Sequence, residues 1–262
     1  MIQRNAIIEW RETAPWQELR YVEQDLVISR SLVSIYQDEY LSSKLAFRGG
    51  TAIYKLFIEE PVRYSEDIDF VQIESEPIGM ILDSIRSALS FIGEPRIVIS
   101  AGSVKLLYRF SAEEPQGTTL RLKAEINSRE HFSVYGFEPR VFTINNQWYS
   151  GKCELTTYRF DEIIGTKIRA LYQRRKGRDL LDIYTALQSG LLNPEKAIEC
   201  YRKYMIFNSH RIPSAAEFTD NLDDKMKHSD FRNEILPYLA PNFEYDAYEA
   251  YNEVRGRIVD IM

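Results

Sequence analysis

Two aspartates on alternate positions of a short segment are the residues of this chain best suited to chemistry. Asp67 and Asp69 lie in the segment RYSEDIDF, residues 63–70. Side chains at positions i and i+2 of a strand share a face, so the two carboxylates project together, roughly 6 to 7 Å apart at Cα. Carboxylate oxygens suit hard divalent cations, and two ions about 4 Å apart are used in two-metal phosphoryl transfer. The spacing therefore predicts a metal clamp for Mg²⁺.

A glycine pair upstream of the aspartates predicts a phosphate-binding helix start. Gly49 and Gly50 have no Cβ atoms, so the backbone there can come close to a phosphate group. Thr51 is expected to cap the helix whose N-terminal amides face the anion, and Ser65 to add a hydroxyl donor. An ordinary turn beside a solvated strand end is the alternative interpretation. The glycine pair at this distance from the aspartates favours the phosphate site.

A second group of charged residues lies on a predicted helix, turn and helix after Phe160. Apolar residues recur at helical spacing on both sides of Gly177, which separates the two helices. Lys167 falls on a face that includes apolar positions, so we expect it to be turned inward and to need an anionic partner. Basic residues concentrate at the turn: Arg174, Arg175, Lys176 and Arg178. A snorkelling lysine with a solvated turn, and a binding site for a polyanion, both remain open interpretations.

Together these motifs resemble a known family. Gly-Gly-Thr-Ala followed by Arg-x-Ser-x-Asp-x-Asp resembles the polymerase-β-like nucleotidyltransferase superfamily and, within it, the AbiEii/AbiGii toxin family, a relative of the MenT-type toxins. Members of that family carry a lysine on one helix and an Arg-Asp-Leu-x-Asp segment on the next, which Lys167, Asp179 and Asp182 match. The resemblance implies that Ser65, Asp67, Lys167 and Asp179 are active-site residues.

The resemblance also implies an activity and its partners. It implies an Mg²⁺-dependent nucleotidyltransferase that moves a nucleoside monophosphate from an NTP to an acceptor, by resemblance the 3′ end of a tRNA. The protein would be the toxin of a toxin–antitoxin or phage-defence pair, with its antitoxin encoded beside it. Lys167 would pair with the triphosphate, and Asp179 would either orient Lys167 or position the acceptor. A catalytically silent module that binds nucleotide or a protein partner, and another phosphoryl- or glycosyl-transfer enzyme such as a kinase, stay open.

A third carboxylate is expected on a later strand. Residues 118–127 alternate between apolar and polar side chains, which predicts a strand with Glu125 on its polar face. Polymerase-β-like sites usually take a third metal ligand from such a strand, so Glu125 is the candidate. An exposed strand glutamate is the alternative.

The composition is that of a globular enzyme. The 262 residues are 44% hydrophobic, which is enough for a real core. A net charge of −6 argues against a protein that coats nucleic acid by charge alone, although the basic turn could still contact RNA. No apolar run reaches transmembrane length and the N-terminus does not read as a secretory signal, so we expect a cytoplasmic location and no membrane partner. Two widely spaced cysteines, Cys153 and Cys200, do not predict a zinc site or a disulfide.

Periodicity predicts an α+β fold, with a nucleotidyltransferase-like mixed sheet followed by a mostly helical half. The predicted elements are helices at 21–42, 50–57 and 78–92, strands at 45–47 and 67–73, and three or four strands within 95–144. After Gly151 the pattern is almost wholly helical. The expected domains are therefore an α/β nucleotidyltransferase domain, 1–152, and a helical domain, 153–262, which would contribute Lys167 and Asp179 to a cleft between them.

Overall fold

The computed structural model describes residues 2–113, 115–208 and 211–262. The chain divides into two compact units, with the limit between Tyr158 and Arg159. We call the part up to Tyr158 unit 1 and the part from Arg159 unit 2. The predicted limit near 152 falls inside a strand, Ser150–Tyr158, which the prediction missed, whereas the mostly helical part that it predicted begins after Tyr158. Cys153, Leu155 and Thr157 are buried at alternate positions of that strand, which is the period of a sheet.

Unit 1 combines helices with a mixed sheet. Its helices are α1 Arg4–Trp10, α2 Leu19–Tyr36, α3 Glu39–Lys44, α4 Gly49–Leu56 and α5 Gly79–Ala88. Its strands are β1 Leu45–Arg48, β2 Asp67–Gln72, β3 Arg96–Ser100, β4 Ser103–Ser111, β5 Thr119–Asn127, β6 Phe137–Asn145 and β7 Ser150–Tyr158.

Two predicted helices differ in extent from the observed ones. The predicted helix at 21–42 is in fact α2 and α3, which are separated at Gln37 and Asp38 because the Asp38 carboxylate caps α3 by accepting from the Leu41 amide. Helix α5 ends at Ala88, several residues before the predicted stop at Gly93. Gly93 has a positive φ and belongs to the turn that leads into β3.

In the described residues, the strand order of the sheet is β3-β4-β5-β2-β1-β7-β6. Strand β2 pairs in parallel with β5, and β1 in parallel with β7, while the other neighbours are antiparallel. In β2 the side chains of Ile68 and Phe70 are buried, whereas Asp67 and Asp69 on the other face stay partly exposed. The predicted mixed sheet and the shared face of the two aspartates are therefore confirmed.

A buried carboxylate ties α4 to the helices beneath it. Asp25 of α2 is 3% exposed and accepts hydrogen bonds from the indole N–H groups of Trp10 and Trp16. It also pairs with the ammonium group of Lys55 near the end of α4. Because a buried carboxylate must keep its partners, Asp25 fixes the orientation of the helix that Gly49 begins.

The extended elements in the described part of unit 2 are all helices. Its helices are α6 Phe160–Gln173, α7 Gly177–Gln188, α8 Pro194–Phe207, α9 Ala215–Lys227, α10 Ser229–Asn233 and α11 Ala247–Arg257, with 3₁₀ turns at Leu236–Tyr238 and Val259–Ile261. The predicted helix, turn and helix are thus confirmed as α6 and α7. Leu171, Tyr201 and Phe218 are among the residues that form the core of this unit. No helix in the described part of either unit is both long enough and apolar enough to cross a membrane.

Candidate active site

The glycine pair of unit 1 lies directly against the aspartate strand. Gly49 begins α4 with a φ of 86°, and a Cβ atom at this position would collide with the carboxylate of Asp69. A Cβ atom on Gly50 would meet the guanidinium group of Arg63 and would lie 3.3 Å from Ser65 Oγ. The Gly49 position therefore requires glycine for its backbone angle, and at Gly50 an added Cβ would displace the end of the Arg63 side chain. The structure brings together the helix start, the serine and the aspartates.

Thr51 has a different role from the predicted one. It is the third residue of α4, and the residue before the helix, Arg48, caps it with no side-chain hydrogen bond. Thr51 is 2% exposed, and its hydroxyl hydrogen-bonds to the backbone oxygen of Asp67 and to Ser65 Oγ, the latter at 2.9 Å. The prediction that Thr51 caps α4 was wrong, because this hydroxyl fastens the helix to the start of β2 instead.

Parallel pairing of β2 with β5 places further charged side chains beside the aspartates. Asp67 lies opposite Lys123, and Asp69 lies opposite Glu125. Lys123 Nζ is 2.9 Å from Asp67 Oδ2 and 3.2 Å from Glu125 Oε2. Lys105 Nζ on β4 lies 3.6 Å from Glu125 Oε1. We call the group Asp67, Asp69, Glu125 and Lys123 the acidic clamp.

The charges in the acidic clamp stabilise one another. Burial alone would raise the pKa of Glu125, but Lys123, Lys105 and the Ser103 hydroxyl outweigh it and hold the pKa below its usual value. Burial alone would likewise lower the pKa of Lys123, but Asp67, followed by Asp69 and Glu125, raises it. Glu125 is therefore an ionised carboxylate with lysine partners on both of its oxygens.

The donor set of the acidic clamp fits a hard cation. Its carboxylates are partly exposed, with the side chains of Asp67 and Glu125 at 24% and 26% exposure, so a cation from solvent can reach them. Oxygen-only ligands are those that Mg²⁺ prefers. Within the described residues, no group of three His, Cys, Asp or Glu side chains has the arrangement of a preformed metal site. Metal binding by Asp67, Asp69 and Glu125 stays a prediction.

The charged residues predicted in unit 2 form a separate, buried cluster. Lys167 Nζ lies 3.2 Å from Asp179 Oδ1 and 2.8 Å from Asp182 Oδ2, and both aspartates have no exposed side-chain surface. Arg174 holds Asp179 through two hydrogen bonds of 2.7 and 2.8 Å. The prediction that Lys167 is turned inward and has an anionic partner is confirmed. We call these four residues the buried ion cluster.

Asp179 stays ionised inside unit 2 because of its partners. Burial would raise its pKa, but Lys167 and Arg174 outweigh that effect and lower the pKa below the usual value. Arg174 is itself about half exposed, so the basic turn is neither fully solvated nor fully buried. Its two exposed neighbours, Arg175 and Lys176, remain at the surface.

Residues 30–253 match the family model described as "Nucleotidyl transferase AbiEii toxin, Type IV TA system". The chain belongs to the AbiEii nucleotidyltransferase toxin family. It is therefore a nucleotidyltransferase, as the glycine pair and the aspartate strand predicted. No curated protein matches the chain.

Solved structures share the fold of this AbiEii-family protein at low sequence identity. MenT4, a nucleotidyltransferase toxin from Mycobacterium tuberculosis, is 13% identical with a TM-score of 0.65, over 100% of this chain and 91% of MenT4. A putative nucleotidyltransferase from Helicobacter pylori is 16% identical with a TM-score of 0.56, over 92% of this chain and 94% of the other. JHP933 from Helicobacter pylori is 17% identical with a TM-score of 0.54, over 92% and 91%.

Sequence reasoning missed two lysines of this AbiEii-family protein. Lys123 lies two positions before Glu125 on the same face of β5, so the alternation that selected Glu125 could also have found Lys123. Lys225 of α9 is 6% exposed and donates to the backbone oxygens of Leu171 and Tyr172 at the end of α6. Burial lowers the pKa of Lys225 to about 8, an effect that Asp179 opposes. No local pattern marks Lys225, because its partners are more than 50 residues away.

Proposed function

We propose that this AbiEii-family protein transfers a nucleoside monophosphate from an Mg²⁺-bound NTP to tRNA. The contact between Gly49 and the Asp69 carboxylate is the observation that carries the proposal. It sets a helix N-terminus, which attracts phosphate, against a carboxylate strand, which attracts Mg²⁺. A nucleoside triphosphate complexed with Mg²⁺ is the ligand that presents both chemistries at once.

On this proposal, the site residues of unit 1 divide the task of holding the nucleotide. The backbone amides at Gly49 and Gly50 and the Ser65 hydroxyl bind the β- and γ-phosphates. Asp67 and Asp69 would hold Mg²⁺, which would neutralise triphosphate charge and lower the pKa of the acceptor hydroxyl. The Thr51 hydroxyl positions Asp67 and Ser65, so any contact of Thr51 with phosphate would come from its backbone amide.

The buried ion cluster of unit 2 bears on the role of Asp179. Lys167 is fixed by two buried carboxylates, so of the two predicted roles for Asp179 its contacts favour the orientation of Lys167. We propose that Asp179 and Asp182 set the position of Lys167, while a role of Lys167 at the triphosphate stays a prediction. Arg174 is part of the same cluster, so its removal would disturb Asp179 as well as the basic turn.

The basic turn supports the proposed RNA acceptor, and the family supports the proposed role in a toxin–antitoxin system. Arg175 and Lys176 are exposed and give a cationic surface that suits the RNA backbone. The family is described as toxins of a type IV toxin–antitoxin system. We accordingly propose an antitoxin as protein partner, a role in phage defence and a cytoplasmic location.

Labelling with NTP tests this proposal. Purified protein is incubated with Mg²⁺, total cellular RNA and each NTP in turn, labelled on the α-phosphate or on the γ-phosphate. Transfer of a monophosphate predicts a labelled tRNA band from the α-label with one NTP preferred, and none from the γ-label. Chelation of Mg²⁺ should abolish the band.

Other outcomes would contradict the proposal at different levels. Label transferred from the γ-phosphate would identify a kinase. Tight NTP binding without any transfer would identify a silent binding module. Label from the α-phosphate on an acceptor other than tRNA would leave nucleotidyl transfer in place and remove the tRNA acceptor.

A further inference from the structure

Lys123 occupies a place in the acidic clamp where a cation is expected. Its ammonium group lies 2.9 Å from Asp67 Oδ2 and 3.2 Å from Glu125 Oε2, so it bridges a metal-ligand candidate and the predicted third carboxylate. The bridge follows from strand pairing, because Lys123 faces Asp67 across the β2–β5 ladder and Glu125 lies two positions further along the same face. Its ammonium group has one carboxylate partner on β2 and another on β5, and these two contacts define its position.

The position of the Lys123 ammonium group opposes a divalent ion between Asp67 and Glu125. Asp67, Asp69 and Glu125 carry three negative charges, and Lys123 and Lys105 lie within 2.9 to 3.6 Å of Asp67 and Glu125. These five groups carry one net negative charge. The two lysines therefore already offset two of the three carboxylate charges before any divalent ion binds. A second divalent ion between Asp67 and Glu125 would also lie within a few ångströms of the Lys123 ammonium group, where like charges repel strongly.

We propose that Lys123 fills the cation position between Asp67 and Glu125, so that the nucleotide site takes one divalent ion instead of two. The inference rests on the proposed Mg²⁺-dependent transfer and deepens it. Lys123 acts on this view as a positioning residue, which orients Asp67 and neutralises Glu125 where a second metal ion would otherwise do so. The remaining divalent ion is bound by Asp67 and Asp69 together with the triphosphate.

Counting bound Mn²⁺ tests the inference without measuring activity. The full chain is titrated with Mn²⁺ in the presence of an NTP analogue that carries a methylene group between the α- and β-phosphates, and free Mn²⁺ is measured by electron paramagnetic resonance. We expect one bound ion per chain for the wild type and two for Lys123→Met and Lys123→Gln. Without nucleotide, the two neutral variants should bind Mn²⁺ roughly tenfold more tightly than the wild type. Lys123→Arg retains the charge and should keep one ion.

Lys152→Met is the matched control, since it removes an exposed lysine from β7 of the same sheet. It should bind one ion, like the wild type. Two ions on the wild type, or one ion on both folded neutral variants, would overturn the inference. Two ions on a wild type that still labels tRNA from the α-phosphate would leave the proposed function standing. No Mn²⁺ binding by any variant would overturn the inference and the proposed metal dependence together.

Discussion

The two charged clusters of this protein both pair lysine with carboxylates, but their side chains differ in how much of their surface is exposed to solvent. In the acidic clamp of unit 1, Asp67, Lys123 and Glu125 keep between 24% and 31% of their side-chain surface exposed. In the buried ion cluster of unit 2, Lys167 keeps 9% and Asp179 and Asp182 keep none. A partly exposed charge can exchange its partner for a ligand, whereas a buried charge that loses its partner is left without solvation.

This difference in exposure distinguishes Asp67 from Asp179, although the sequence motifs assign both residues to the active site. The motif resemblance assigns catalysis to Asp67 and to Asp179 alike. Solvent can reach Asp67, which suits a residue that must take up a metal ion and a nucleotide. Asp179 holds Lys167 and Arg174 in fixed positions, which suits a residue that prepares the site without changing partners. The predictions below test this contrast, from the largest expected effect to the smallest.

The largest effect is expected for the loss of a buried carboxylate. Asp182→Ala leaves Lys167 with one fewer anionic partner inside unit 2. We expect the free energy of unfolding to fall by about 3 to 5 kcal/mol, because an incompletely compensated buried charge remains. Urea unfolding followed by circular dichroism measures this. The exposed Asp220→Ala on α9 is the control and should change stability by less than about 0.5 kcal/mol. Equal small effects from both would show that burial does not hold the cluster together.

In the acidic clamp, the loss of a carboxylate is expected to reduce activity strongly and stability only slightly. Asp67→Asn should reduce label transfer from the α-phosphate by about a hundredfold or more, which corresponds to about 2.7 kcal/mol in the activation barrier. A neutral amide cannot replace a charged ligand to a hard cation. Stability should change by less than about 1 kcal/mol, because the ion pair with Lys123 is partly exposed. The exposed Asp83→Asn should leave both quantities unchanged. Full activity in a folded Asp67→Asn protein would remove the metal clamp from the proposed function.

A smaller effect on stability is expected where α4 meets the clamp. Gly49→Ala places a Cβ atom against the Asp69 carboxylate at a positive φ. The backbone angle alone should cost about 1 to 2 kcal/mol in the free energy of unfolding. NTP binding should weaken as well, because Asp69 must move. Gly79→Ala begins a helix with nothing within 4 Å of the added Cβ and serves as the control. Unaltered NTP affinity in Gly49→Ala would separate the glycine pair from the nucleotide site.

The last effect appears only above neutral pH and concerns the lysine that caps α6. The pKa of Lys225 is about 8 in the folded protein and 10.5 as its reference value. Between these values the folded state binds fewer protons than the unfolded state, so stability rises with pH from about 8 to about 10.5. Lys225→Met removes this contribution. The difference in free energy of unfolding between the wild type and the variant should therefore change with pH over that window and stay level below it. A constant difference across the window would mean that burial does not depress this pKa.

Local pattern was enough to predict several features of the site. The faces of β2, the start of α4 at the glycine pair and the inward position of Lys167 all follow from short-range periodicity, which is set by backbone geometry within a single element. Pattern failed at β7, because the predicted boundary near 152 assigned most of this strand to the helical half. It also failed for Thr51, whose hydroxyl partner depends on where β2 packs against α4.

The sequence by itself determined which side chains exist and which face of its element each one occupies. It placed Asp67 and Asp69 together, and it put Lys123 and Glu125 on one face of another strand. Only the tertiary structure decided that these two faces meet, and with which register. A strand's own period of two does not specify its partner, and β2 and β5 are separated by about 50 residues of chain. The long-range pairing of β2 with β5 therefore decided that a lysine, and not a third carboxylate, lies directly beside Asp67.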